Sequence, residues 1–249
     1  MKRVLSNLLI LIVIIFIVLL TTLLIPSQSP QRVLLGFDTE LVDAPEDIAF
    51  VTSALEAHDA RATFFVTGDF VQQRPELVAE LAQSHEIACH TMTHPRLRAV
   101  NRTRLAWELS ECTRVVEDLT GKPVRGFRAP YNLMTRAAYD ELPKAGYSYD
   151  ASWFEHLGLF APKPNMPALR ISSWGFVPLE DYFLIKLLPL GDLAFRVMTW
   201  NDDETVILDL HPRIVAEHPE AFTKLLDYYA TRNATFETHE SVFLSSSGG

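Results

Sequence analysis

Cysteine is nearly absent: Cys89 and Cys112 are the only two in 249 residues. That excludes the disulfide framework of a small secreted scaffold. Cys89 lies in the apolar run Ile87-Ala88-Cys89. A buried free thiol is the expectation there, with a disulfide to Cys112 as the alternative. Positive charge is also scarce. The formal net charge is −9, and setting Lys2 and Arg3 aside deepens it to −11. So acidic a domain is a poor partner for nucleic acid, and it repels a polyanionic substrate unless its charge is locally reversed. The sequence shows no internal repeat and no second globular domain. No small-x-small cleavage site follows its first apolar run, which gives way to Pro26-Ser27-Gln28-Ser29-Pro30.

That first run extends from Leu8 to Ile25, broken only by Thr21 and Thr22, behind the basic pair Lys2-Arg3. Its length is at the short end of what spans a bilayer. It reads as an uncleaved transmembrane signal anchor with its basic flank inside and the rest of the chain exported. A cleaved signal peptide is the alternative. The expected organisation is a basic flank over 1–7, the anchor over 8–25, a linker over 26–32 and one domain over 33–245.

Within that domain strand and helix signals alternate. Apolar runs predict strands over 32–37, 62–66, 86–89, 124–127, 147–149 and 205–210, with 169–172 and 234–236 as further candidates. Helical spacing or capping signals predict helices over 46–58, 75–83, 101–119, 135–144 and 219–231. The stretch 154–167 reads as a proline-rich loop, and 183–190 is ambiguous. The fold class expected is α/β: about seven parallel strands forming a distorted barrel. Chemistry in such barrels gathers at the C-terminal strand ends. Asp38, His90, Arg128, Asp150 and His211 each stand at the end of a predicted strand, which places five polar residues at one edge.

Four groups of residues carry chemistry. His90 and His94, four apart, can converge on one metal ion. Asp38 and Glu40 are i and i+2 at a strand end, so both carboxylates turn to one side. One can hold a metal while the other accepts a proton from water. Arg128 can hold a carboxylate ionised and oriented. His211 can protonate a leaving amine near neutral pH. Taken singly, each has a blander reading as a loop histidine, a capping acid or a surface arginine.

Taken together, they resemble the polysaccharide deacetylase family (NodB homology, carbohydrate esterase family 4), over roughly residues 33–240. His90-Thr91-Met92-Thr93-His94 matches its H-[ST]-x-x-H motif, and Arg128-Ala129-Pro130-Tyr131 its R-x-P-Y motif. Leu208-Asp209-Leu210-His211 matches the late motif ending in the acid histidine, and Ala62 to Gly68 looks like the second strand. The usual T-F-D-D-G places two acids side by side. Here Thr39 takes the second place and Glu40 follows, as in the family's D-x-[DE] branch.

The resemblance implies removal of N-acetyl groups from an N-acetylated glycan. It implies a divalent metal, zinc before cobalt or another ion, on Glu40, His90 and His94. It further implies Asp38 as base, Arg128 as its partner, His211 as acid and Asp150 as the aspartate orienting His211. Tyr131 and Trp153 would contact substrate, Tyr131 also offering its backbone N–H to the oxyanion. Two competing readings remain at this level: another carbon–nitrogen amide hydrolase on the same fold, and a non-catalytic glycan-binding pseudoenzyme.

Overall fold

The computed structural model describes residues 32–152, 162–174, 177–187, 190–201 and 203–247. The apolar run 8–25 and Trp153 lie outside the described residues. Among the described residues no helix is long and apolar enough to cross a membrane.

The strands are β1 (Arg32–Thr39), β2 (Thr63–Val66), β3 (Glu86–Cys89), β4 (Gly126–Phe127), β5 (Tyr149–Asp150), β6 (Ser173–Trp174), β7 (Val177–Pro178), β8 (Thr205–Leu210) and β9 (Thr235–Glu237). A seven-stranded sheet runs in the order β5-β4-β3-β2-β1-β8, with β9 also paired to β1, and every pairing in it is parallel. The sheet forks at β1. Gly36–Thr39 pair with β2 on one edge, Arg32–Leu34 of that strand pair with β9, and Arg32–Phe37 pair with β8. Between β5 and β8 the segment 167–172 fills the gap. Asp150 N–H donates to the Pro167 carbonyl, Leu169 N–H to that of Asp150, and Ser172 N–H to that of Ile207. The result is a curled, barrel-like α/β sheet. The antiparallel pair β6–β7 lies apart from it.

The α-helices among the described residues are α1 (Pro45–Glu56), α2 (Gly68–Gln73), α3 (Pro75–Ser84), α4 (Arg102–Thr120), α5 (Arg136–Glu141), α6 (Leu193–Met198), α7 (Pro212–Glu217), α8 (Pro219–Ala230) and α9 (His239–Ser247). The α4 helix starts where the Asn101 side chain accepts the Arg104 N–H, and it ends at Gly121, whose φ of 66° is left-handed. Pro143 shortens the predicted 135–144 helix to α5 followed by a 3₁₀ turn over Leu142–Ala145.

Strand alternation divides the core in two. Val33, Leu35, Phe37, Phe64, Val66, Cys89, Phe127, Leu208 and Leu210 pack outward with the helices. Phe65, Ala88, Tyr149 and Ala151 form a small separate cluster on the other face, as do Leu34 and Ile207. Asp38, His90, Arg128, Asp209 and His211 share that inner face by register.

One expectation is corrected here. The two cysteines form a Cys89–Cys112 disulfide, with Cα atoms 6.1 Å apart, and neither is a free thiol. The cause is alternation: His90 faces inward, so Cys89 faces the helix layer. There α4 presents Leu105, Leu109, Cys112 and Val116.

Candidate active site

The first carboxylate belongs to Asp38 at the end of β1. Its Oδ1 accepts Arg128 Nη1 at 2.9 Å, while its Oδ2 lies 3.5 Å from His90 Nε2. Arg128 is fully buried. It also donates from Nη1 to Asp209 Oδ1 at 2.7 Å and from Nε to the Ala151 carbonyl at 3.0 Å, and its Cζ stacks 4.1 Å from the Phe65 ring centroid. Gly36 makes the room: a Cβ there would stand 2.6 Å from Arg128 Nη2. Asp209 Oδ2 accepts Asn132 Nδ2 at 2.7 Å. Burial raises Asp209 to about 6, with Arg128 pulling it back down.

Glu40 comes back to Asp38's side because Thr39 between them turns away and donates to the Phe37 carbonyl at 3.1 Å. The Glu40 N–H is held by Asp43 Oδ2 at 2.7 Å, and Asp43 Oδ1 accepts the Arg213 N–H just past His211. One side chain therefore ties the Glu40 loop to the start of α7. His94 Nε2 stands 3.2 Å from Glu40 Oε1. His90 uses Nδ1 on the Arg128 carbonyl at 2.8 Å, which fixes that nitrogen as the donor and turns the Nε2 lone pair into the site.

The ligand atoms of Glu40, His90 and His94 all lie within 4.8 Å of one another. Burial lowers His90 to about 3 and His94 to about 4, so both imidazoles are neutral with lone pairs available. Burial, and then the charge of Asp38, raise Glu40 to about 7. Crowded carboxylates facing neutral imidazoles are a donor set for a divalent cation, and the three residues fit one. A second cluster of similar compactness, Glu180, Asp181 and His211, does not fit one. Its oxygens already accept hydrogen bonds from Tyr182 N–H, Phe183 N–H, His211 N–H and His211 Nδ1.

The aspartate on His211 is therefore Asp181, at 2.7 Å from Nδ1. Asp150, expected in that role, is turned to the outer face. It accepts from Tyr139 OH at 2.8 Å and from Ser152 N–H and Oγ, and Ser152 Oγ in turn takes the Ala129 N–H at 2.7 Å. Asp150 braces the Arg128 turn and does not touch His211. Burial pushes His211 down, but Asp181, together with Asp38 and Asp209, outweighs it and holds the imidazole well above its ordinary value.

Tyr131 takes a left-handed φ of 61° and lays its ring 4.9 Å from that of His94; it is 48% exposed. Across the site, Tyr182 stands 6.1 Å from the His211 ring and is 45% exposed. Sequence reasoning missed Asp181, although it counted the neighbouring Tyr182 among the aromatics of 176–190 that could stack on sugar rings. The one signal for Asp181 was an acid pair directly followed by aromatics.

A curled parallel α/β sheet carrying neutral histidines, carboxylates and a braced imidazolium at its C-terminal edge defines a class: a barrel with hydrolase-type acid–base equipment. Comparison with known proteins assigns the family. The profile described as "Polysaccharide deacetylase" matches residues 26–149. A chitooligosaccharide deacetylase from Sinorhizobium fredii is 35% identical over 170 residues, 66% of this chain and 79% of that protein. A peptidoglycan-N-acetylglucosamine deacetylase from Listeria monocytogenes is 29% identical over 204 residues, 80% of this chain but 37% of its own length. The fold also matches the solved structure of a carbohydrate esterase 4 pseudoenzyme from Bacillus anthracis. The TM-score is 0.65 at 15% identity, covering 85% of this chain and 65% of that one. The chain belongs to the polysaccharide deacetylase family.

Proposed function

We propose that this chain is a metal-dependent hydrolase that removes N-acetyl groups from an N-acetylated glycan. The observation that carries the reading is the convergence of Glu40, His90 and His94 within 4.8 Å, between the Arg128-held Asp38 and the Asp181-held His211. The pseudoenzyme neighbour speaks only for the fold, so the reading rests on these side chains and on kinship to named deacetylases.

Glu40, His90 and His94 would hold the ion, zinc first and cobalt as the alternative. When bound, such an ion polarises the acyl carbonyl and lowers the pKa of water. Arg128 holds Asp38 through Oδ1, which leaves Oδ2 to take the proton from the attacking water. The backbone N–H of Tyr131 stabilises the oxyanion. His211, charged through Asp181, returns a proton to the departing nitrogen as the C–N bond breaks. Acetate and a free amino sugar leave. Tyr131 and Tyr182 flank the site and offer ring faces to neighbouring sugars.

The setting follows from two features. The Cys89–Cys112 bridge suits an oxidising compartment. The run 8–25 suits a membrane anchor, with the domain over 33–245 on the extracytoplasmic side, or secreted if the segment is cleaved. The test is acetate release from N-acetylglucosamine oligomers and from peptidoglycan, with and without chelator. Chelator-sensitive release on either substrate supports the reading; binding of both without release would leave a glycan-binding protein.

A further inference from the structure

The loop from His90 to His94 holds its shape against backbone cost. Thr91 and His94 both take left-handed φ values, 69° and 55°, although neither is glycine. A side chain with a Cβ disfavours that conformation. Within the loop only the His94 N–H to Thr91 Oγ1 bond, at 3.0 Å, helps. From outside, the start of α2 holds the first half of the loop, Gly68 N–H donating to the Thr91 carbonyl at 3.0 Å and Asp69 N–H to that of Met92 at 2.9 Å, and α4 holds Thr93. Glu108, fully buried on that helix, accepts the Thr93 N–H at 2.8 Å through Oε2 and the Thr93 hydroxyl at 2.7 Å through Oε1. Arg104, one turn earlier, neutralises it through Nε at 2.9 Å and reaches Thr93 Oγ1 at 3.2 Å. Cys112, one turn later on the same buried face, bonds α4 covalently to Cys89, the residue before His90. The helix is thus fixed at the loop's entrance by a disulfide and grips its far side through a buried carboxylate.

We propose that Glu108 is a positioning residue for metal binding: acting through Thr93, it holds His94 at the distance from His90 and Glu40 that one cation requires. This rests on the metal reading of those three residues. Glu108 faces none of them and was not singled out by any motif. A buried, twice-used carboxylate has no other evident task at this place, since a helix stabilised by packing alone would not bury a charge under a loop.

Two readouts on the purified full chain test it. The first is amide hydrogen exchange over residues 90–97 in the metal-free protein. The second is zinc affinity by competition with a chromophoric chelator. Glu108→Ala is expected to speed exchange of the Thr93 amide and to weaken zinc binding by about tenfold or more, and Glu108→Gln should recover part of both. Tyr149→Phe, which removes a hydrogen bond to Glu86 at the opposite sheet edge, controls for general destabilisation and should change neither. Should Glu108→Ala fail to fold, Thr93→Val removes only the hydroxyl donor and should give a smaller loss in the same direction. The proposal is overturned if loop exchange and zinc affinity are unchanged in these variants, or if Tyr149→Phe loses as much. Faster exchange in a chain that takes up no zinc even as wild type would instead overturn the metal reading, with Glu108 left as a brace of the loop alone.

Discussion

Arg128 is shared by two carboxylates, and that sharing decides what a change at Asp38 does. Asp38→Asn removes the proton acceptor, but Asp209 stays on Arg128, so no buried cation is left unpaired. The variant is expected to fold and to retain metal on Glu40, His90 and His94. Its kcat should fall by about a hundred- to ten-thousand-fold. Acetate release and metal analysis on one preparation check this, and near-normal turnover would remove Asp38 from the role of base. At the other end of the reaction Asp181 sets the charge on His211. The acid must be protonated to act, so activity persists below the His211 pKa and fades as pH rises through it. That pKa is held up largely by Asp181. Asp181→Asn should therefore move the alkaline limb of the kcat profile to lower pH as well as lower its plateau. A limb that stays in place would show that Asp181 does not tune the acid.

Strand periodicity accounts both for what could be read in the sequence and for what could not. The inward positions 38, 90 and 211 were legible because each ends an apolar run whose alternation is plain. The spacing of Asp38 and Glu40 worked for the same reason: Thr39 lies on the opposite face. Asp150 failed the same rule. Its neighbour Tyr149 takes the inner face, so Asp150 points toward Tyr139 on α5. A two-residue strand carries too little pattern to reveal that. Asp181 was illegible because its segment runs beside β8 through irregular contacts, Glu180 bridging Asp209, and not through a strand with its own periodicity. The disulfide could have been reached: Cys89 is one residue from an inward histidine, and Cys112 falls on the apolar stripe of α4. With its cysteines 23 positions apart in sequence, the bridge should contribute about 3 kcal/mol. Denaturant unfolding of Cys89→Ala/Cys112→Ala against the oxidised parent measures it. An unfolding midpoint indifferent to reductant would mean that the thiols are free.

At the scale of the molecule, two opposed sets of buried groups shape stability against pH. Burial lowers His85 to about 4, His90 to about 3 and His94 to about 4, and takes His239 well below its ordinary value. Between those values and about 6.5 the unfolded chain binds protons that the native chain refuses, so stability rises with pH in that range. Burial also raises Glu40 and Glu86 to about 7, Glu180 to about 8 and Asp209 to about 6. These carboxyls hold protons in the native state that the unfolded chain has released, so their contribution is lost as pH rises through the same values. His211, raised by its aspartate, adds to that loss above about 6.5. The two sets oppose each other in mild acid, and only the second acts above it. The metal-free protein should therefore weaken from pH 6.5 toward pH 8. Zinc changes the alkaline side alone. It needs Glu40 ionised and the imidazoles neutral, and a ligand that binds only the native state stabilises by RT ln(1 + [L]/Kd). Its effect must then grow as pH climbs through the Glu40 value of about 7. Melting curves at pH 6 and pH 8, each with and without zinc, are expected to show the larger upward shift at pH 8. A larger shift at pH 6 would mean that the ion is not held by Glu40.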